Sequence, residues 1–303
     1  MQQRNTSSGL RHRNLEAAAI TAIVPMLIMV PFWLLALAVI WLPMRLIFGV
    51  DFWWFPAIWV LAGLSLFLRP VQVAVMTPLY GVVKPTDIER AKLQPLWDEL
   101  SARLDLSPDH YFLRILPSDD VNAFACGGHL VVVTSFAVSE LGDDELAGVL
   151  AHELSHHLGL HTVALTFGHW LSIPVVALAR IGFFMQNVAH AATDSFASHS
   201  AALTAIGRVV AAVLTAISWI FLAALYASDA ATNLVSRSSE YNADRRAIEM
   251  GFGPQLATAL RRVINDHGSD RSRGWRGRLS MSHPPALTRV ARIEAELRSR
   301  RGR

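Results

Sequence analysis

A single cysteine, Cys126, stands among 303 residues. An intramolecular disulfide is excluded, and a polar domain kept in the cytosol needs none. Its neighbours, Ala123-Phe124-Ala125 and Gly127-Gly128, are small or apolar, so the thiol reads as a small buried side chain rather than a nucleophile. Charge is also scarce. Asp, Glu, Lys and Arg make up 17% of the chain while 52% is apolar, a balance outside the usual soluble range. The arginines crowding the C-terminus, from Arg271 to Arg278 and from Arg298 to Arg303, have Trp275 as their one aromatic companion. With no series of stacking platforms, no nucleic-acid partner is expected; anionic lipid headgroups or plain solvation suit these arginines better.

The apolar residues are gathered in four blocks, about Ala17 to Leu42, Phe52 to Leu68, Thr162 to Met185 and Ala201 to Ala227. Each is near or above the roughly 18 to 20 residues that cross a bilayer as a helix, and none is long enough to cross twice. The first follows Arg4, Arg11 and Arg13 and holds Pro25 and Pro31. It exceeds the roughly 7 to 15 apolar residues of a signal core, so it is expected to be a retained helix whose prolines the membrane tolerates. Trp33, Trp41, Trp53, Trp54 and Trp59 suit either an interfacial belt or lipid-facing packing.

The loop Gln186 to Ser200 has neither Lys nor Arg, whereas Arg69, Lys84, Arg90 and Lys92 follow the second block. This asymmetry places both termini and the large polar segments on the cytoplasmic side of a cell membrane. Arg180 and Arg208, inside the blocks but toward the outer loop, either snorkel or form a functional pair.

In the polar segments, Pro85-Thr86-Asp87 starts a helix whose Ile88, Leu93, Leu96, Trp97, Leu100 and Leu104 recur at helical spacing. Tyr111–Leu116, Val121–Cys126 and His129–Thr134 read as strands, the last two joined by Gly127-Gly128. A small antiparallel sheet is the expectation. Gly142-Asp143-Asp144-Glu145 then opens a helix with Leu146, Val149, Leu150 and Leu154 on its buried face.

That helix carries His152-Glu153-Leu154-Ser155-His156. Two histidines four residues apart leave one face a turn apart and can converge on a metal ion. Glu153 beside them can take a proton from an attacking water, the arrangement of a zinc hydrolase. Five residues separate His156 from Thr162, so the metal is expected about 9 Å along the helix from the third apolar block. After the fourth block, Glu240 and Asp244 share a helix face. They are either a solvated acidic face, or a third ligand with a carboxylate that receives a hydrogen bond from a ligating imidazole. The Gly/Ser/Arg-rich stretch after Val263 reads as a mobile loop. His283, in the turn Ser282-His283-Pro284-Pro285, either hydrogen-bonds a developing oxyanion or approaches the metal, or is simply a residue of the turn.

With these residues in place the chain resembles the HtpX-type membrane zinc endopeptidases, in the same broad gluzincin family as the CAAX prenyl endopeptidases. The likeness is carried by Asn122 to Ala125, Asp144-Glu145-Leu146, His152 to His156, Arg237 to Asp244, and Ser282 to Pro285 with Arg289. It implies a multi-pass α-helical membrane protein with a small α+β zincin-like (gluzincin) catalytic domain. The implied division is an N-terminal tail (1–16), a transmembrane hairpin (17–80), the first part of the protease domain (81–161), a second hairpin (162–227), and the second part with its basic tail (228–303). It also implies one zinc ion on His152, His156 and Glu240, Glu153 as general base, Asp244 behind His152, and Asn122, Ala123, Phe124 and Ala125 as an edge for an extended protein substrate. Misfolded or surplus membrane proteins are the expected substrates. Prenyl-peptide processing and a zinc-binding scaffold without hydrolysis are the alternatives.

Overall fold

The computed structural model describes residues 4–107, 110–158, 161–196, 200–266 and 285–302. The chain forms two compact units, one of Met1–Ala22, Ser65–Thr166 and Asn233–Arg303, the other of Ile23–Leu64 and Phe167–Thr232.

The second unit is built of apolar helix. Helix α1 (Arg4–Phe48) keeps Pro25, Pro31 and Pro43 within it. Its Met29, Trp33, Ala36 and Leu37 pack with Leu171 and Val175 of α7 (His161–Phe196) and Phe221 of α8 (Ala201–Glu249). Trp59 and Trp170 stack at 4.9 Å, each indole N–H donating to the other's backbone carbonyl. Among the described residues, three helices are long and apolar enough to cross a membrane: Ile23–Phe48, Thr162–Thr193 and Ala201–Glu249. The second apolar block differs from a single straight span. It forms α2 (Trp54–Ser65), only 12 residues long, then turns by 83° into α3 (Arg69–Tyr80), and the bent pair makes up to a fourth crossing. Leu68 is extended and Pro70 sits at the start of the second piece. A proline in the first turn of a helix, with the residues before it pushed toward extended backbone, ends one helix and starts the next. One turn of α3, Gln72–Met76, is π-helical.

The first unit holds the polar segments. Helix α4 (Asp87–Arg103) begins with a capping box between Thr86 and Glu89, and Leu93, Trp97 and Leu100 are buried while Ile88, expected on the same stripe, is 85% exposed. Three strands follow, β1 (Phe112–Leu116), β2 (Ala123–Cys126) and β3 (Leu130–Thr134). β2 and β3 form the expected antiparallel hairpin, with Gly127 and Gly128 at φ 65° and 95°, the left-handed conformations that such a tight turn needs. The sheet as a whole is mixed rather than antiparallel: its order is β1-β3-β2 and β1 runs parallel to β3. All five residues of β3 are buried, and so apolar a strand occupies the centre of a sheet covered on both faces. β2 is left at an edge.

A short α5 (Ser135–Glu140) leads to α6 (Asp143–Leu158). Leu146, Leu150 and Leu154 are wholly buried in a core shared with Val131, Val133, Trp97, and Leu256 of α9 (Gly253–Asp266). α6 and α9 approach so closely at Gly148 that a Cβ there would lie 2.4 Å from the Leu256 backbone nitrogen. The last helix, α10 (Ala286–Arg301), seals this core with Val290 and Ile293.

Candidate metal centre

Helix α6 presents His152 and His156 one turn apart, and α8 presents Glu240 and Asp244 one turn apart. The fold brings these pairs together although 83 residues separate His156 from Glu240. His152 Nε2 lies 3.2 Å from His156 Nε2 and 3.3 Å from Glu240 Oε2, and His156 Nε2 lies 3.1 Å from Glu240 Oε1. Bonds of about 2.0–2.1 Å to a tetrahedral ion set its donor atoms about 3.3 Å apart. The separations are therefore of the size that a zinc-like cation requires, with each imidazole facing a different Glu240 oxygen, and all three residues are buried.

The surroundings also favour a cation. Glu153, Glu240 and Asp244 are each 4% exposed, and the one buried guanidinium beside them is Arg289, also 4% exposed. Counted as ionised, three carboxylates against one guanidinium leave a formal surplus of two negative charges, which a divalent ion offsets with both histidines neutral. Burial and the Arg289 charge push the His152 imidazolium down. The hydrogen bonds and charges of Asp244 and Glu240 outweigh them and raise its pKa to about 9, so without an ion a proton is held there instead.

Asp244 Oδ1 is 3.0 Å from His152 Nδ1. A proton on Nδ1 leaves Nε2 as the nitrogen facing Glu240, which is how a carboxylate orients a ligating imidazole. Asp244 is held in turn by Arg289, whose Nε and Nη2 donate to its two oxygens at 3.0 and 2.6 Å, while Nη1 lies 3.3 Å from Glu240 Oε2. Burial lowers the Arg289 pKa, but Asp244, Glu240 and Glu153 together raise it above its ordinary value. The sequence reading placed Arg289 in the family pattern without a role at the site. Its one local sign was an arginine following the Pro284-Pro285 turn on the buried side of a helix with Val290 and Ile293.

Of the proposed substrate edge, β2 is an edge strand packed on α6. Asn122 is tied inward: its carbonyl accepts from Thr134 N–H at 2.9 Å and its N–H donates to Thr134 Oγ1 at 3.0 Å. In an antiparallel ladder the direction alternates, so Phe124 also turns its backbone to β3, and Ala123 and Ala125 turn theirs outward. The helix that was expected to end near Val263 runs to Asp266, and the rest of the expected loop, with His283, falls within 267–284, outside the described residues. His157 leaves the opposite side of α6, where its Nε2–H donates to Leu130 O at 3.0 Å. Cys126 is buried, with its thiol 3.7 Å from the Tyr80 hydroxyl.

Apolar helices and a buried two-histidine, one-glutamate cluster define the class: a helical membrane protein with a metallopeptidase centre. The pattern of peptidase family M48 matches residues 87–297. A protease HtpX homolog of Salinibacter ruber is 30% identical over 244 residues, covering 73% of this chain and 80% of that one. A CAAX prenyl protease 1 homolog of Oryza sativa subsp. japonica is 25% identical and covers 77% of this chain, but this chain covers 53% of it. The crystal structure of S. mikatae Ste24p has the same fold, with a TM-score of 0.51 at 18% identity over 85% of this chain and 62% of that one. The chain belongs to peptidase family M48, on its HtpX-type side, and is a membrane metalloprotease.

Proposed function

We propose that the protein is a zinc-dependent endopeptidase whose cytoplasmic active centre cleaves misfolded or surplus membrane proteins. The observation that carries the zinc reading is the buried cluster of His152, His156 and Glu240, whose nitrogens lie 3.2 Å apart and 3.1 to 3.3 Å from the two Glu240 oxygens. The HtpX-type reading is favoured over prenyl-peptide processing by identity, 30% to the HtpX relative against 25% to the prenyl protease relative.

In this reading His152, His156 and Glu240 hold the zinc, which when bound supplies the Lewis acidity that polarises the scissile carbonyl and acidifies the attacking water. Glu153, on the next position of the same helix, takes the proton from that water and returns it to the leaving amine. Asp244 fixes the His152 ring, and Arg289 fixes Asp244. An extended substrate pairs with the outward backbone groups of Ala123 and Ala125, a strand added to the edge of the sheet. Asn122 and Phe124 shape that edge through their ties to β3. His283 is the candidate for contacting the oxyanion.

The test is Glu153→Gln in the full-length protein in detergent, measuring casein cleavage beside a metal count. The amide should keep about one zinc per chain and an unchanged melting temperature while turnover falls by at least about 10²- to 10⁴-fold. Wild-type cleavage by the variant would remove Glu153 from the reaction, and zinc bound with no proteolysis by the wild type would favour a scaffold. A reporter fused after Arg303 that is active only outside the cytoplasm would overturn the orientation.

A further inference from the structure

A cavity of about 310 Å³ opens between the start of α4 and β1, away from every residue of the metal centre; Lys84, Arg90, Gln94, Trp97, Phe112 and Arg114 line it. Its floor is fixed. Trp97 is 1% exposed and stands edge-on to Tyr111, and the bridge between Val83 and Ile115 holds the backbone beside Lys84 against β1. Its walls carry three cations, and none of the residues lining it is acidic.

Arg114 is the informative one. It is 9% exposed, lies 5.6 Å over the Phe112 ring, and donates Nη1 to the Leu113 carbonyl at 2.8 Å. Its Nε is buried with no partner. Among the described residues no carboxylate lies within ion-pair distance of it, and burial alone lowers its pKa, with no anion working against that. Arg90 pairs only with Asp87, at 3.5 Å, whose carboxylate is fully exposed, a contact worth little. The contrast with Arg289 is direct: there the fold surrounds a buried guanidinium with carboxylates, and here a buried guanidinium shares a cavity wall with two exposed cations.

A buried guanidinium with an unpartnered Nε is unfavourable unless an anion comes to it, and Lys84 and Arg90 on the same cavity lining add to the draw on an anion. An arginine fork and an ammonium suit a tetrahedral oxyanion with several acceptor oxygens better than a single carboxylate. The apolar floor leaves a place for an organic group joined to that anion. We propose that this cavity binds a phosphate ester, its phosphate held by Lys84, Arg90 and Arg114 and its organic part lying on Trp97 and Phe112. The ester comes either from a lipid headgroup or from a soluble metabolite, and the site is independent of the zinc reading.

The full-length, zinc-loaded protein in detergent is titrated with glycerol 3-phosphate by calorimetry, and in parallel native mass spectrometry counts retained phosphatidylglycerol against phosphatidylcholine. The double variant Lys84→Gln/Arg90→Gln changes two exposed side chains, so it should keep the wild-type melting temperature, and Arg114→Gln tests the buried cation. The expected result is binding of one probe by the wild type and at least about tenfold weaker binding by the double variant. Glycerol 3-phosphate binding identifies a soluble ester; selective retention of phosphatidylglycerol without it identifies a headgroup. Failure of both probes on the wild type overturns the proposal, as does equal binding by the double variant. Binding of an acidic peptide where both phosphate probes fail also overturns it.

Discussion

In one unit His152, Glu153, His156, Glu240, Asp244 and Arg289 are at most 7% exposed, and in the other Leu46, Ile47, Trp53 and Leu61 are 66 to 78% exposed. The first keeps charge inside and the second keeps hydrocarbon outside. Against water alone both arrangements are costly. The buried charges hold because they compensate one another across three helices, α6, α8 and α10. The outward apolar side chains hold because a lipid bilayer is as apolar as they are, so that nothing is gained by hiding them. Burial therefore means different things in the two units, and a substitution should be felt differently in each.

Removing the metal is the largest test of this difference. A chelator should abolish proteolysis and lower the melting of the first unit by the linkage energy, about 4 kcal/mol for an ion present at a thousand times its dissociation constant. Circular dichroism in detergent should show the helices of the second unit persisting. Arg289→Ala leaves Asp244 and Glu240 without their guanidinium and should cost about 3–5 kcal/mol, read from chemical denaturation. A loss below about 1 kcal/mol would mean that the network is not what holds the first unit's charges. A milder contrast comes from matched truncations: Leu150→Ala, on the core face of the metal helix, should cost about 2–5 kcal/mol, and Leu46→Ala under about 0.5. Equal losses would break the comparison.

A further contrast is in pH. Burial first, then the neighbouring histidine charges, drive the His157 pKa down to about 3 against the pull of the Leu130 carbonyl. The folded protein thus keeps this imidazole neutral where the unfolded chain, at about 6.5, takes up a proton. The sign follows: stability from this group is intact above about pH 6.5 and falls by about 1.4 kcal/mol per unit as pH drops toward 3. His157→Gln retains a donor for Leu130 and does not titrate, so its acid limb should be flatter than that of the wild type in denaturation at pH 5 and 7.

The sequence showed most where the physics is local. The four-residue spacing of His152 and His156 fixes a shared helix face, the Thr86–Glu89 capping box starts α4, and the two glycines turn the β2–β3 hairpin. The parallel β1–β3 pair was not legible, because a strand's neighbour is decided by which strand most needs both faces covered, and that is β3. The bend between α2 and α3 had a sign in Arg69-Pro70, which stand just where the second apolar block ends; that the chain turns there into a further helix was not legible.

The sequence by itself determined the helix that carries His152, Glu153 and His156, the apolar blocks and the acidic pair at Glu240 and Asp244, since each depends on residues within a turn or two of one another. Tertiary structure alone decided that Glu240 meets the histidines at ligand distance, that Asp244 faces His152 rather than water, and that Arg289, 137 residues beyond His152, closes the network. Buried charges have to find their compensation in space, and the chain brings those partners together only when its core is packed.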